Sequence, residues 1–172
     1  MCAHHRSDPS EQSPGPDVGP TSASVPPATT VDHVGISVGD LNTAVTFYSA
    51  AFGLVEEFRF AVEEAGPMHA VILRSPDGWA VELMHRPDSV EPGRRYAQPD
   101  QAVLNRGYGH LCLRVRDLED SYQQVLAAGA SVVVPPGPAR HPAVRYAYAA
   151  DPEGNLLEFI HVHADGVLGV PA

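Results

Sequence analysis

Cysteine is nearly missing from this chain: Cys2 and Cys112 are the only two among 172 residues. No disulfide framework can be built from them, and a reducing compartment is the expected setting. Cys112 falls in an apolar strand and reads as a small buried residue. Cations are also scarce, with 11 Lys plus Arg against 21 Asp plus Glu and a formal net charge of -10. That surplus of negative charge repels phosphate backbones and anionic lipid surfaces, so neither nucleic acid nor membrane is an expected partner. An apolar run of about 18 residues, the minimum for a membrane-spanning helix, is absent. So are the basic and apolar regions of a signal peptide at the N-terminus. These absences lead to the expectation of a soluble, cytoplasmic protein.

Proline is unevenly placed. Residues 1–29 hold Pro9, Pro14, Pro16, Pro20, Pro26 and Pro27 among Ser, Thr and Gly, too few apolar groups to offset the entropy of ordering. They are expected to form a disordered leader, with His4 and His5 as solvated groups within it. The remainder is of ordinary single-domain size. One domain is expected over residues 30–165, followed by a short tail at 166–172.

From Val31 the pattern tightens. Val34, Ile36 and Val38 alternate with His33, Gly35 and Ser37, the two-residue period of a half-buried strand. Asp40 is placed to cap a helix in which Leu41, Ala44, Val45, Tyr48 and Phe52 recur at helical spacing until Gly53 stops it. Apolar stretches follow at 54–62, 68–74 and 79–84, the last two separated by the turn Ser75-Pro76-Asp77-Gly78. The order βαβββ then returns. Asp117 caps a second helix carrying Leu118, Tyr122, Val125 and Leu126 and ending at Gly129, and strands are expected at 131–134, 144–150 and 155–162. Module one therefore covers 30–86, a linker 87–107 and module two 108–165.

The repeat extends to individual residues. Asp32-His33-Val34-Gly35 leading to Asp40-Leu41 lies over Gly109-His110-Leu111-Cys112 leading to Asp117-Leu118, so that His33 and His110 are 77 residues apart. Ser75-Pro76-Asp77-Gly78 leading to Glu82 lies over Asp151-Pro152-Glu153-Gly154 leading to Glu158, with the two glutamates 76 apart. Two separate blocks agree to within one residue, which supports a duplication.

In each strand one parity is apolar enough to pack on a helix, leaving His33, Glu82, His110 and Glu158 on the other. If the modules are related by an approximate two-fold axis, these four line one concave sheet near its centre. Imidazole plus carboxylate is a ligand set for zinc, iron, nickel, cobalt or manganese, and unpaired carboxylates there would be costly. The four are therefore read as ligands of one divalent metal ion. His69, His85, His141, His161 and His163 are read as having no counterparts in the other copy and are left as surface or supporting groups. His161 should point to the helix side of its strand.

These motifs resemble the vicinal oxygen chelate superfamily, which includes glyoxalase I, methylmalonyl-CoA epimerase, extradiol dioxygenases, and fosfomycin and bleomycin resistance proteins. The likeness spans residues 31–163. It implies an α+β fold of two tandem βαβββ modules forming a cupped mixed sheet, often in a homodimer, around one divalent metal. In glyoxalase-like members the positions matching His33, Glu82, His110 and Glu158 are all ligands. The resemblance makes Glu158, and with it Glu82, a base that removes a proton next to the carbonyl of a small-molecule substrate, in lyase, isomerase or epimerase chemistry on Zn, Ni, Co or Mn. An alternative is an extradiol dioxygenase, with Fe(II) on His33, His110 and Glu158, Tyr148 near substrate and His141 as a nearby acid or base. A third is a metal-free antibiotic-binding protein. Strand parity adds Ser37, Met84, Cys112, Arg114 and Ile160 to the cup, where Arg114 is placed either to meet an anionic substrate group or to pair with Glu82.

Overall fold

The alternation of Val34 and Ile36 with His33, Gly35 and Ser37 is realised as strand β1, His33–Ser37, whose residues alternate between half-buried and exposed. In this computed structural model the described residues are 29–64, 66–91, 98–104 and 106–163. The expected leader apart from Thr29, the expected tail, Cys2, His4 and His5 lie outside them. Asp40 caps helix α1, Leu41–Phe52, by accepting from the Thr43 N–H at 2.9 Å. Gly53 closes it in the left-handed region at φ 66°, a conformation that glycine takes without a Cβ penalty. Strands β2 (Val55–Val62), β3 (Met68–Arg74) and β4 (Ala80–His85) complete the first module. A short helix α2, Pro99–Ala102, lies in the expected linker. The second module follows as β5 (Leu111–Arg114), α3 (Leu118–Ala127), β6 (Ser131–Pro138), β7 (Val144–Ala150) and β8 (Leu156–Val162).

The modules build two four-stranded mixed sheets, ordered β1-β4-β3-β2 and β5-β8-β7-β6. In each, the first and last strands of a module run parallel at the same register. Gly35, two residues past His33, lies beside Glu82, and Cys112, two past His110, lies beside Glu158. The hairpin turns also match, with Ser75 N–H donating to Trp79 O and Asp151 N–H to Asn155 O. Gly78 and Gly154 take φ of 94° and 88° in those turns. Duplication is thus a property of the backbone as well as of the letters.

One core joins the modules. Phe47 and Tyr48 of α1 and Tyr122 and Val125 of α3 pack with Val71, Leu73 and Leu83 of the first sheet and Leu157 and Phe159 of the second. Phe52 of α1 stacks on Phe159 with ring centroids 6.2 Å apart. Each sheet therefore buries one face against the helical layer and leaves the other outward. The expected α+β fold of two tandem βαβββ modules is thus present as two four-stranded mixed sheets, and among the described residues β1 and β5 pair only with β4 and β8.

Strand β6 runs to Pro138, past the expected end at 134, with register shifts along its pairing with β7. It is an edge strand, where the missing N–H of Pro135 and Pro136 removes no ladder bond. Among the described residues no helix is long and apolar enough to cross a membrane.

Candidate active site

The outward faces hold the expected ligand positions. Side chains on parallel strands in register point to the same side, so His33 and Glu82 share one face and His110 and Glu158 the other. His33 Nε2 lies 3.5 Å from Glu82 Oε2, and His110 Nε2 lies 3.0 Å from Glu158 Oε2. The pairs also match in exposure, with the histidines at 38% and 36% and the glutamates at 18% and 19%. An imidazole nitrogen beside a carboxylate oxygen, both open to solvent on one side, offers donor atoms of the kind that bind divalent cations. The pairs lie on different sheets. Among the described residues no three His, Cys, Asp or Glu side chains converge as a ligand set. One chain therefore does not bring the four expected ligands together. The helical layer buried between the sheets keeps the pairs apart.

The surroundings of the two glutamates differ, although the backbone repeats. Across the β3–β4 and β7–β8 ladders, Glu82 faces Ile72 and Glu158 faces Tyr148. Burial raises the Tyr148 phenol, and the neighbouring Glu158 carboxylate raises it further. Cys112, expected as a small buried residue, is instead exposed, beside Glu158 in the β5–β8 ladder. Partial burial and that carboxylate push the thiol up to about 12. The parity of Cys112 is that of the ligands and not of the core, which is why the burial expectation fails. In module one the equivalent position is Gly35, where an added Cβ would come within 2.8 Å of Met84 Cε. Met84 and Glu82 fill this space.

Beside His33, the Arg74 guanidinium donates to Asp32 at 3.1 Å and to Glu57 at 2.7 Å. It holds the Asp32 carboxyl below the usual carboxylate range. Asp32 Oδ1 is 3.6 Å from His33 Nδ1, so this ion pair lies behind the ring.

Ser37, Met84, Cys112, Arg114 and Ile160 share the strand faces of the candidate ligands, as parity requires, but divide between the sheets. Arg114 does not pair with Glu82, which lies on the other sheet. His141 sits in the β6–β7 loop, where its Nδ1 accepts from the Ala143 N–H at 3.2 Å, and no contact joins it to Glu158 among the described residues. A cavity of about 560 Å³ opens beside Glu158. Tyr146, Tyr148, Ile160 and Arg140 are among its walls.

Sequence reasoning missed one duplicated pair. His85 and His161 are counterparts, each three residues beyond the module's glutamate. His85 Nδ1 lies 3.1 Å from Val38 O and His161 Nδ1 lies 3.4 Å from Val115 O, so each ring spans from the last strand to the carbonyl after the first. A carbonyl only accepts, so Nδ1 carries the proton in both rings. The repeated Glu-x-x-His at 82–85 and 158–161 was the available signal. His161 does turn to the helix side, as expected. Arg140 had no such signal, because the residue at its place in the β2–β3 loop of module one, 76 positions earlier, is Glu64.

The sequence signature of the Glyoxalase/Bleomycin resistance protein/Dioxygenase superfamily matches residues 30–159. A probable lactoylglutathione lyase from Synechocystis sp. is 27% identical over 130 residues, covering 74% of this chain and 92% of its own. A lactoylglutathione lyase from Neisseria meningitidis is 28% identical over 135 residues, covering 74% of this chain and 87% of its own. Among solved structures, a glyoxalase family protein from Bacillus cereus superposes with a TM-score of 0.65 at 22% identity, over 82% of this chain and 100% of that one.

Proposed function

Because this chain belongs to the Glyoxalase/Bleomycin resistance protein/Dioxygenase superfamily, we propose that it is a divalent-metal-dependent, glyoxalase-like lyase or isomerase acting on a small molecule by proton transfer next to a carbonyl. The observation that carries this reading is the twinned His–Glu pair, His33 with Glu82 and His110 with Glu158, at one register and with near-equal exposure on both sheets. A binding protein that used no metal would not need the same pair twice. The lactoylglutathione lyases among the relatives support the class of reaction at low identity.

Neither pair completes a site by itself, so the reading includes a homodimer in which the first-module face of one copy meets the second-module face of another. His33 and Glu82 of one copy and His110 and Glu158 of the second then form one ligand set, with two such sites per dimer under two-fold symmetry. The apolar Phe58 and Phe60, stacked at 5.6 Å on β2, give the first-module side a surface to cover, with Phe58 58% exposed.

A cation held by these four would supply the positive charge that stabilises an enediolate-like oxygen as the carbon beside it loses a proton. The chain's own groups do the rest. Glu158 and Glu82 approach the substrate from opposite sheets, as carboxylates that take up and return that proton. Tyr148 and Cys112 flank Glu158 on the two neighbouring strands. Asp32 and Arg74 back His33 from the side away from Glu82.

A second reading rests on Tyr148. Its hydroxyl beside Glu158 suits an iron-dependent ring-cleaving dioxygenase that uses His33, His110 and Glu158 alone. The likeness of Glu82 to Glu158 in place and exposure favours four ligands. Elemental analysis of untagged protein purified without chelators separates the readings. About one equivalent of zinc, nickel, cobalt or manganese per chain is expected, and iron would favour the dioxygenase. No metal after reconstitution would overturn both.

A further inference from the structure

All eleven cationic side chains of this protein are arginines, set against 21 acids. Where acids outnumber cations two to one, a guanidinium left without a carboxylate partner calls for a reason. Arg59, Arg74, Arg86 and Arg145 are ion-paired, with Glu56, with Asp32 and Glu57, with Asp88 and with Glu119 respectively. Arg106, Arg114, Arg116 and Arg140 have no hydrogen bond or ion pair among the described residues; of these, Arg114 pairs with Ile160 in the ladder on the face that carries Glu158, and Arg140 lines the cavity beside that glutamate.

The ladder places them. One row across the sheet is Val134, Tyr148, Glu158 and Cys112, and the next on the same face is Gly137, Tyr146, Ile160 and Arg114. Rows two residues apart along a strand are about 6.6 Å apart. Arg114 is therefore one row beyond the His110–Glu158 pair, with Tyr146 and Ile160 forming an apolar floor beside it. Arg140 shares the lining of one cavity with Tyr146, Tyr148, Glu158 and Ile160, and Arg114 neighbours Ile160 in the ladder. At about 560 Å³ that cavity is of small-molecule size.

We propose that Arg114 and Arg140 form an oxyanion subsite, and that the substrate carries a carboxylate or phosphate joined through an apolar or aromatic spacer to the carbonyl that Glu158 works on. The spacer lies over Tyr146 and Ile160, and the anion is held by charge-assisted hydrogen bonds from the two guanidiniums. This inference rests on the active-site reading above, since it takes the His110–Glu158 row as the reacting end.

The test uses metal-free full-length protein at low ionic strength, with three probes: 3-phenylpropanoate, 2-phenylethyl phosphate and the uncharged 3-phenylpropanamide. Calorimetric titration is expected to show at least one of the two anions binding about tenfold tighter than the amide, and the tighter anion names the natural group. In Arg114→Gln/Arg140→Gln that preference is lost while amide affinity stays within about twofold. Equal binding of all three probes, or a preference that survives in the double variant, overturns the proposal. Metal content of the wild-type protein is measured alongside. Metal bound without an anion preference sinks the subsite and leaves the enzyme reading. An anion preference in a protein that takes up no metal does the reverse.

Discussion

The phenol of Tyr48, in the middle of the first module's helix, donates a 2.9 Å hydrogen bond to Asp151, in the turn before the second module's last strand. Asp151 is 3% exposed, and its two oxygens also accept from the backbone of Glu153 and Asn155 and from the Asn155 side chain. One turn further on, Glu153 accepts from the N–H groups of Gly39 and Asp40 at 2.8 and 3.1 Å. The Asp-Pro-Glu-Gly-Asn motif thus fastens the two modules together as well as turning the chain. Tyr48→Phe removes one donor to a buried carboxylate and is expected to cost about 1.5–3 kcal/mol of stability in urea denaturation. Burial raises the Tyr48 phenol well above its ordinary value, and Asp151 adds to the shift. Above about pH 10 the unfolded chain releases this proton and the folded one keeps it, so stability falls by about 1.4 kcal/mol per pH unit from this group. Stability measured from pH 9 to 11 should fall less steeply in Tyr48→Phe. An unchanged slope would count against the buried, protonated phenol.

His85 and His161 are expected to contribute alike. Each ring ties the carbonyl after a module's first strand to its last strand, and a net hydrogen bond of this kind is worth about 1 kcal/mol. His85→Ala and His161→Ala should each destabilise by about 1–2 kcal/mol once lost packing is included. The double variant should lose nearly the sum, since the sites belong to separate modules. A large loss from one and none from the other would deny that they are equivalent.

The βαβββ order, both helix caps and both ladders were legible in the sequence because period, capping residue and stop coincide at each, as at Asp40, Leu41–Phe52 and Gly53. The His–Glu pairs were legible too, because a parallel register couples residue i+2 of the first strand to the glutamate of the last. How the two sheets sit was not. Strand parity says that His33 and Val34 point to opposite faces, but it cannot say whether two outward faces meet within a chain. That was decided by Tyr48, Phe52, Gln124 and Phe159 packing the helices between the sheets. The β6 extension escaped notice because Pro135 and Pro136 break a strand unless it lies at an edge.

Cys112 offers a probe of the Glu158 environment. A thiol pushed up to about 12 is almost wholly protonated near neutrality and alkylates slowly. In a Cys2→Ser background, metal-free protein should react with iodoacetamide far more slowly at pH 8 than a free thiol of ordinary pKa near 8.5. Glu158→Gln should speed the reaction, because the neighbouring negative charge is removed. An ordinary rate in the parent protein would place Glu158 away from the sulfur.

The central claim, one metal site built from the first module of one copy and the second module of another, is tested most directly by complementation. His33→Ala/Glu82→Ala and His110→Ala/Glu158→Ala are purified separately and then mixed under conditions that exchange subunits. Each alone should bind no metal. Random reassortment makes half the dimers mixed, each with one intact site, so the mixture should recover roughly a quarter of an equivalent of metal per chain. If the mixture stays metal-free although its subunits exchange, or if either variant alone keeps a full equivalent, the site is not shared between copies in this way.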